Sequence, residues 1–176
     1  MARVAGFGAG FGLIGGIADA VGHQEGDKKR RGALAGALDG PRQLAAIEAA
    51  DPAAALHLAS YQVVTHNEVL DPKTIGAKAR HTASPSPCYA ELIVSSIFYV
   101  KGPMRAPMLA TDFVYRKFGA KQKPISSYHN SMRAGAKIEQ GREPDSIAAA
   151  DQQLADAFAE DFKRFAFFAA SQPDWK

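Results

Sequence analysis

The sequence predicts an α+β domain: a small antiparallel sheet of two to four strands packed by a long C-terminal amphipathic helix, with short helices and a glycine-rich segment at the N-terminus. Three observations lead there. Residues Cys88 to Val100 alternate like a half-buried strand, the last thirty or so residues carry apolar side chains at helical spacing, and 176 residues at 47% apolar and 22% charged suffice for one core. The expected organisation is a glycine-rich segment over residues 1–27 and a single α/β domain over residues 28–176.

Residues 1–22 hold Gly6, Gly8, Gly10, Gly12, Gly15, Gly16 and Gly22, with Arg3 and Asp19 as their charges. Glycine inside a helix costs about 1 kcal/mol relative to alanine, so such a segment orders only by close packing. Three readings stay open. One is a secretory signal ending at Ala18-Asp19-Ala20. Another is a membrane or assembly contact in which Gly8, Gly12 and Gly16, four apart, line one helix face. The third is a tail with no role. Gly10-Phe11-Gly12-Leu13-Ile14-Gly15 has the outline of a dinucleotide fingerprint but fails on context: Ala5 to Gly10 make a poor strand, and the basic run Lys28 to Arg31 stands where an acidic residue would be needed.

Between residues 32 and 64 the pattern is of short helices. Pro41 and Pro52 suit first turns, Asp51 is placed as a cap, and Leu44 with Ile47 keeps helical spacing, while Tyr61 to Val64 fits a strand equally well. Asp71-Pro72 starts another turn through Ile75, and Arg80 to Pro87, with its two Ser-Pro steps, reads as an irregular loop. The long strand then places Ala90, Leu92, Val94, Phe98 and Val100 on one face and Glu91, Ser95 and Tyr99 on the other. A long turn from Gly102 to Pro107 leads to Met108–Phe118, where Leu109, Phe113 and Tyr115 oppose Asp112, Val114 and Arg116. Ile125 to Met132 adds a short third strand, followed by a basic, mobile connection from Arg133 to Arg142. The closing helix, capped by Asp145 or Ser146, carries the stripe Ile147, Leu154, Phe158, Phe162, Phe165 and Ala169, with Glu160, Asp161, Lys163 and Arg164 in water.

The chemistry of the side chains is sparse. One cysteine, Cys88, excludes an internal disulfide and any multi-cysteine cluster. His23, His57, His66, His81 and His129 fall at no metal-ligand spacing, so no metal and no cofactor are expected. Ser84 and Ser86 lack a nucleophile elbow, and no local signature activates Cys88. Asp156, Glu160 and Asp161 read as an ordinary solvated helix face. The formal +3 hides an asymmetry: residues 101–137 carry eight bases and one acid, whereas residues 138–176 carry four bases and eight acids. Arg116, Lys117, Lys121, Lys123 and Arg133, interleaved with Tyr115, Phe118, Tyr128 and His129, form the candidate anion-binding set.

Gly12-Leu13-Ile14-Gly15-Gly16-Ile17-Ala18-Asp19-Ala20, then a charged cluster and small-residue helices, then a second strand ending Arg116-Lys117-Phe118-Gly119 before an amphipathic helix, resembles small Gram-negative envelope proteins of the lipoprotein type. That resemblance covers the layout of most of the chain and carries over no functional residue. It implies a small α/β domain that binds protein partners or assembles in the periplasm or at a membrane. No lipobox accompanies it, since Cys88 is far from the N-terminus. The leading expectation is therefore a non-enzymatic envelope accessory protein acting through a protein partner or a homo-oligomer. Two alternatives stand beside it: a cytoplasmic protein that binds nucleic acid or another anionic polymer through the basic 101–137 stretch, and a small hydrolase built on Cys88 or Ser86.

Overall fold

The computed structural model describes residues 3–9, 38–58, 60–68, 70–102, 105–120, 123–136 and 144–172. Five strands, β1 (Arg3–Ala9), β2 (Tyr61–His66), β3 (Tyr89–Gly102), β4 (Arg105–Phe118) and β5 (Pro124–Gly135), form one sheet in the order β2-β1-β3-β4-β5. The three long strands β3, β4 and β5 pair antiparallel, as expected, and the long C-terminal helix packs on them. The α+β class stands, and two shorter strands extend the sheet in parallel.

β1 corrects the sequence reading that Ala5 to Gly10 make a poor strand. Arg3–Ala9 lies inside the sheet, in register with β2 from Arg3↔Tyr61 to Gly8↔His66 and with β3 from Val4↔Tyr89 to Ala9↔Val94. A strand between two neighbours is held by its backbone N–H and C=O groups on both sides, which glycine supplies as well as any residue. Tyr61–His66 resolves the open choice at that position in favour of a strand.

Three short helices precede the long strands: α1 (Gly40–Ala49), α2 (Pro52–Ala55) and α3 (Pro72–Gly76). Each has a proline in its first turn and an aspartate cap. Asp39 Oδ1 accepts from the Arg42 N–H at 2.9 Å, Asp51 Oδ1 from Ala54 at 3.1 Å, and Asp71 Oδ1 from Lys73 and Thr74 at 2.9 and 3.0 Å. These bonds hold the Asp71 carboxyl below the usual carboxylate range, led by the one from the Thr74 hydroxyl.

Two local features of the hairpin differ from the alternation pattern. Only residues 103 and 104 separate β3 from β4, so the connection is shorter than the long turn expected. A register shift between Val94 and Ser96 then moves the residues up to Val100 to the opposite face. Ile97 and Tyr99 join Ala90, Leu92 and Val94 on the helix side, while Phe98 and Val100 leave it. β5 is also longer than expected and takes in Arg133 to Gly135; residues 137–143 of the connection lie outside the described residues.

The long helix, α4 (Pro144–Ala170), begins one residue ahead of the expected caps. Leu154, Ala157, Phe158, Phe162, Phe165, Ala166 and Ala169 are buried along it. The Phe113 ring of β4 sits 6.0, 6.2 and 4.9 Å from the rings of Phe158, Phe162 and Phe165, and Phe165 lies 5.3 Å from Tyr128 of β5. Fully burying each such ring stabilises by roughly 1.5–3 kcal/mol, which makes this helix–sheet interface the main core. Asp161 corrects the solvated-face reading, because it is 0% exposed and faces the sheet.

Candidate functional site

The densest polar arrangement lies on the sheet face that α4 leaves uncovered, where the segment from α3 to β3 folds over the ends of β3 and β4. Register places Glu91 of β3 beside Arg116 of β4. Both side chains are buried, with Arg116 Nη1 3.3 Å from Glu91 Oε1. Arg116 also donates through Nη1 to the Ala77 carbonyl at 2.6 Å and through Nη2 to the Ile75 carbonyl. Glu91 Oε2 accepts from the His81 backbone N–H and from the Tyr89 hydroxyl, both at 3.1 Å. Burial, joined by the nearby Glu91 carboxylate, raises the Tyr89 phenol above its ordinary range against the bond from Thr82.

Arg80 performs the second half of this closure. Its Nη1 donates to the Ser84 and Ser86 carbonyls at 2.7 and 2.8 Å, and Nη2 donates to the Gly119 carbonyl at 2.6 Å. The guanidinium stacks over Tyr89 and Phe118, 4.9 and 5.8 Å from the ring centroids. Carbonyls of an irregular loop would otherwise be left unpaired near the core, so Arg80 and Arg116 are construction elements of the fold. At the rim of the cluster, Glu68 Oε1 lies 2.6 Å from His81 Nε2 and 3.9 Å from His66 Nδ1.

The candidate anion-binding residues are dispersed by this architecture. Arg116 is 5% exposed and spent on Glu91 and two carbonyls. Lys117 is half-buried, and desolvation lowers its pKa. Lys123 and Arg133 are exposed, but the ten residue steps from one to the other along β5 put them about 30 Å apart. Lys121 lies outside the described residues. Of the three glycines proposed as an assembly face, Gly8 is in β1 between His66 and Ile93, and a strand does not place residues four apart on a helix face; Gly12 and Gly16 lie outside the described residues.

Cys88 is half-buried at the foot of β3. The Ser86 hydroxyl donates to the Cys88 carbonyl at 2.8 Å and accepts from the Cys88 N–H at 3.3 Å, while the nearby imidazole of His81 is bonded to Glu68. Those bonds brace a loop and do not join a nucleophile to a base. Among the described residues, no group of three or more His, Cys, Asp or Glu side chains is arranged to hold a metal ion, and no helix is long and apolar enough to cross a membrane.

Two features of α4 were missed by sequence reasoning. Asp161 Oδ2 accepts from the Thr111 hydroxyl at 2.9 Å, whereas its Oδ1 is buried with no hydrogen-bond partner. Its position, seven after Leu154 and four before Phe165, places it within the apolar stripe, so the signal was there. On the helix's last turns, Phe167 and Phe168 are 68% and 47% exposed, their rings 5.6 Å apart in a T-shaped pair.

No protein-family model matches this chain, and no curated protein matches it. Solved structures resemble it at low sequence identity. Lipoprotein GNA1162 from Neisseria meningitidis superposes with a TM-score of 0.35 at 12% identity, over 65% of this chain and 85% of that one. Protein XCC0632 from Xanthomonas campestris, of family DUF330, gives 0.40 at 9% identity over 100% and 90% of the two chains. The hypothetical protein CT253 from Chlamydia trachomatis gives 0.39 at 8% identity over 98% and 100%. These likenesses to a lipoprotein, a DUF330 protein and a hypothetical protein assign no specific function.

Proposed function

We propose that this chain is a non-enzymatic accessory protein of the bacterial envelope that works through protein contacts. The observation that carries the reading is the exposed Phe167–Phe168 pair at the end of α4. Two adjacent exposed aromatic side chains are costly to leave in water, and aromatic residues are favoured anchors of protein interfaces. The fold's own use of Arg80, Arg116 and Glu91 supports the same reading, because the best-formed polar cluster is spent on holding a loop.

The test is a photo-crosslinking amino acid at position 167 in the protein expressed in its native cells, followed by fractionation. The reading expects a discrete crosslinked species in the envelope fraction, either to a second copy or to one partner, that disappears when Phe168 is replaced by Ser. A cytosolic protein with no crosslinked species would overturn it.

A further inference from the structure

We infer that Asp161 makes the docking of α4 onto the sheet depend on protonation: the helix is held while this carboxyl is neutral and opens when it ionises, uncovering the phenylalanine face. This goes beyond the binding role proposed above and stands on different residues.

The inference starts from an interface. Asp161 is 0% exposed, in the stripe that carries Phe158, Phe162 and Phe165 against Phe113. It has one donor, Thr111 of β4, for two oxygens. A neutral carboxyl loses far less in such a site than a carboxylate, which needs two or three donors or a cation to offset its lost hydration.

The groups around it do not supply them. From its own helix come Arg164, which favours ionisation, and Glu160, which opposes it; these two are ion-paired at 2.8 Å, and Arg164 also donates to the Arg133 carbonyl. The strands beneath bring Thr111 and the phenols of Tyr99, Tyr115 and Tyr128, none of which is a cation. α1 brings Arg42, which pairs with Asp151 ten residues earlier in α4, and α2 has no titratable side chain. Burial accordingly pushes the Asp161 carboxyl up to about 7, against the Thr111 bond and Arg164 and with Glu160 adding to it.

The sign is that of a raised acid. In the opened helix the carboxyl returns toward its ordinary value of 3.8, so opening is unaffected by pH well below that value. Opening becomes easier as pH rises from about 4 to about 7 and levels off above. The opened form can be local, because the ladder bonds of β3, β4 and β5 run between strands and none of them involves α4.

Amide hydrogen exchange of the full chain at pH 5 and pH 8, corrected for intrinsic rates, reads this out residue by residue. The expected result is a roughly hundredfold increase in the opening of α4 amides between the two, a smaller change in β3–β5, and under about threefold in Asp161→Asn. Equal change in helix and sheet, no change in the helix, or the same change in Asp161→Asn would each sink the idea. If that variant does not fold, Thr111→Val serves: it removes the one donor, so the α4 transition must move to higher pH, and an unmoved transition counts against the device.

Discussion

Under α4 the sheet is closed by phenylalanine rings, with one carboxyl among them. At the β3–β4 end of the other face it is closed by two arginines that donate to carbonyls, a glutamate that accepts from the His81 N–H, and a tyrosine hydroxyl bonded to that glutamate and to Thr82. Apolar packing is non-directional and tolerates small shifts, whereas the polar closure fixes the loop by geometry and fails when one member is lost. Both faces hold groups out of keeping with their surroundings, among them Asp161 in the apolar layer and Glu91 Oε1, which meets Arg116 without a well-formed hydrogen bond.

The largest effects should come from breaking each face in its own manner. Arg116→Met strands the Glu91 carboxylate and two carbonyls and should cost about 3–5 kcal/mol in urea unfolding, with much of the loss recovered in the double variant Arg116→Met, Glu91→Leu. Phe162→Ala should cost about 3–5 kcal/mol as well, by lost transfer energy and a residual cavity, but adding Glu91→Leu to it should restore nothing. If the Arg116 loss persists unchanged in the double variant, the guanidinium matters through the Ile75 and Ala77 carbonyls and not through Glu91.

The two faces were unequally legible. α4 and its ring stripe were readable because helical periodicity is local: Leu154, Phe158, Phe162 and Phe165 announce themselves within four turns. The Asp51 cap and the turn started by Asp71-Pro72 were readable for the same reason, each aspartate sitting directly before its proline, whereas Asp39, one residue further from Pro41, was not read as a cap. The polar closure was not, since Arg116 reaches carbonyls about forty residues earlier and Arg80 reaches Gly119 at the same remove. No spacing rule connects such positions. The bulge at Val94/Ser96 was hidden too, because one extra residue breaks the period of two without changing composition. Basic residues were gathered by sequence proximity into one anion site, and the strands then separated Arg116, Lys123 and Arg133.

The smallest effect is expected at the boundary between the polar closure and solvent. Glu68 is 49% exposed, with His81 at 2.6 Å and His66 at 3.9 Å. A pair of this kind works in high dielectric and is screened by salt, so Glu68→Gln should change stability by no more than about 1 kcal/mol, and by less in 0.5 M salt. Gln keeps a carbonyl oxygen as acceptor for the His81 Nε2–H, which separates the charge from the hydrogen bond. The measurement is urea unfolding of both proteins at low and high salt. A loss above about 2 kcal/mol that survives high salt would mean that the Glu68–His81 contact is continuous with the Glu91–Arg116 core, through the His81 N–H that Glu91 accepts, and the polar face would then extend as one cooperative unit to the end of β2.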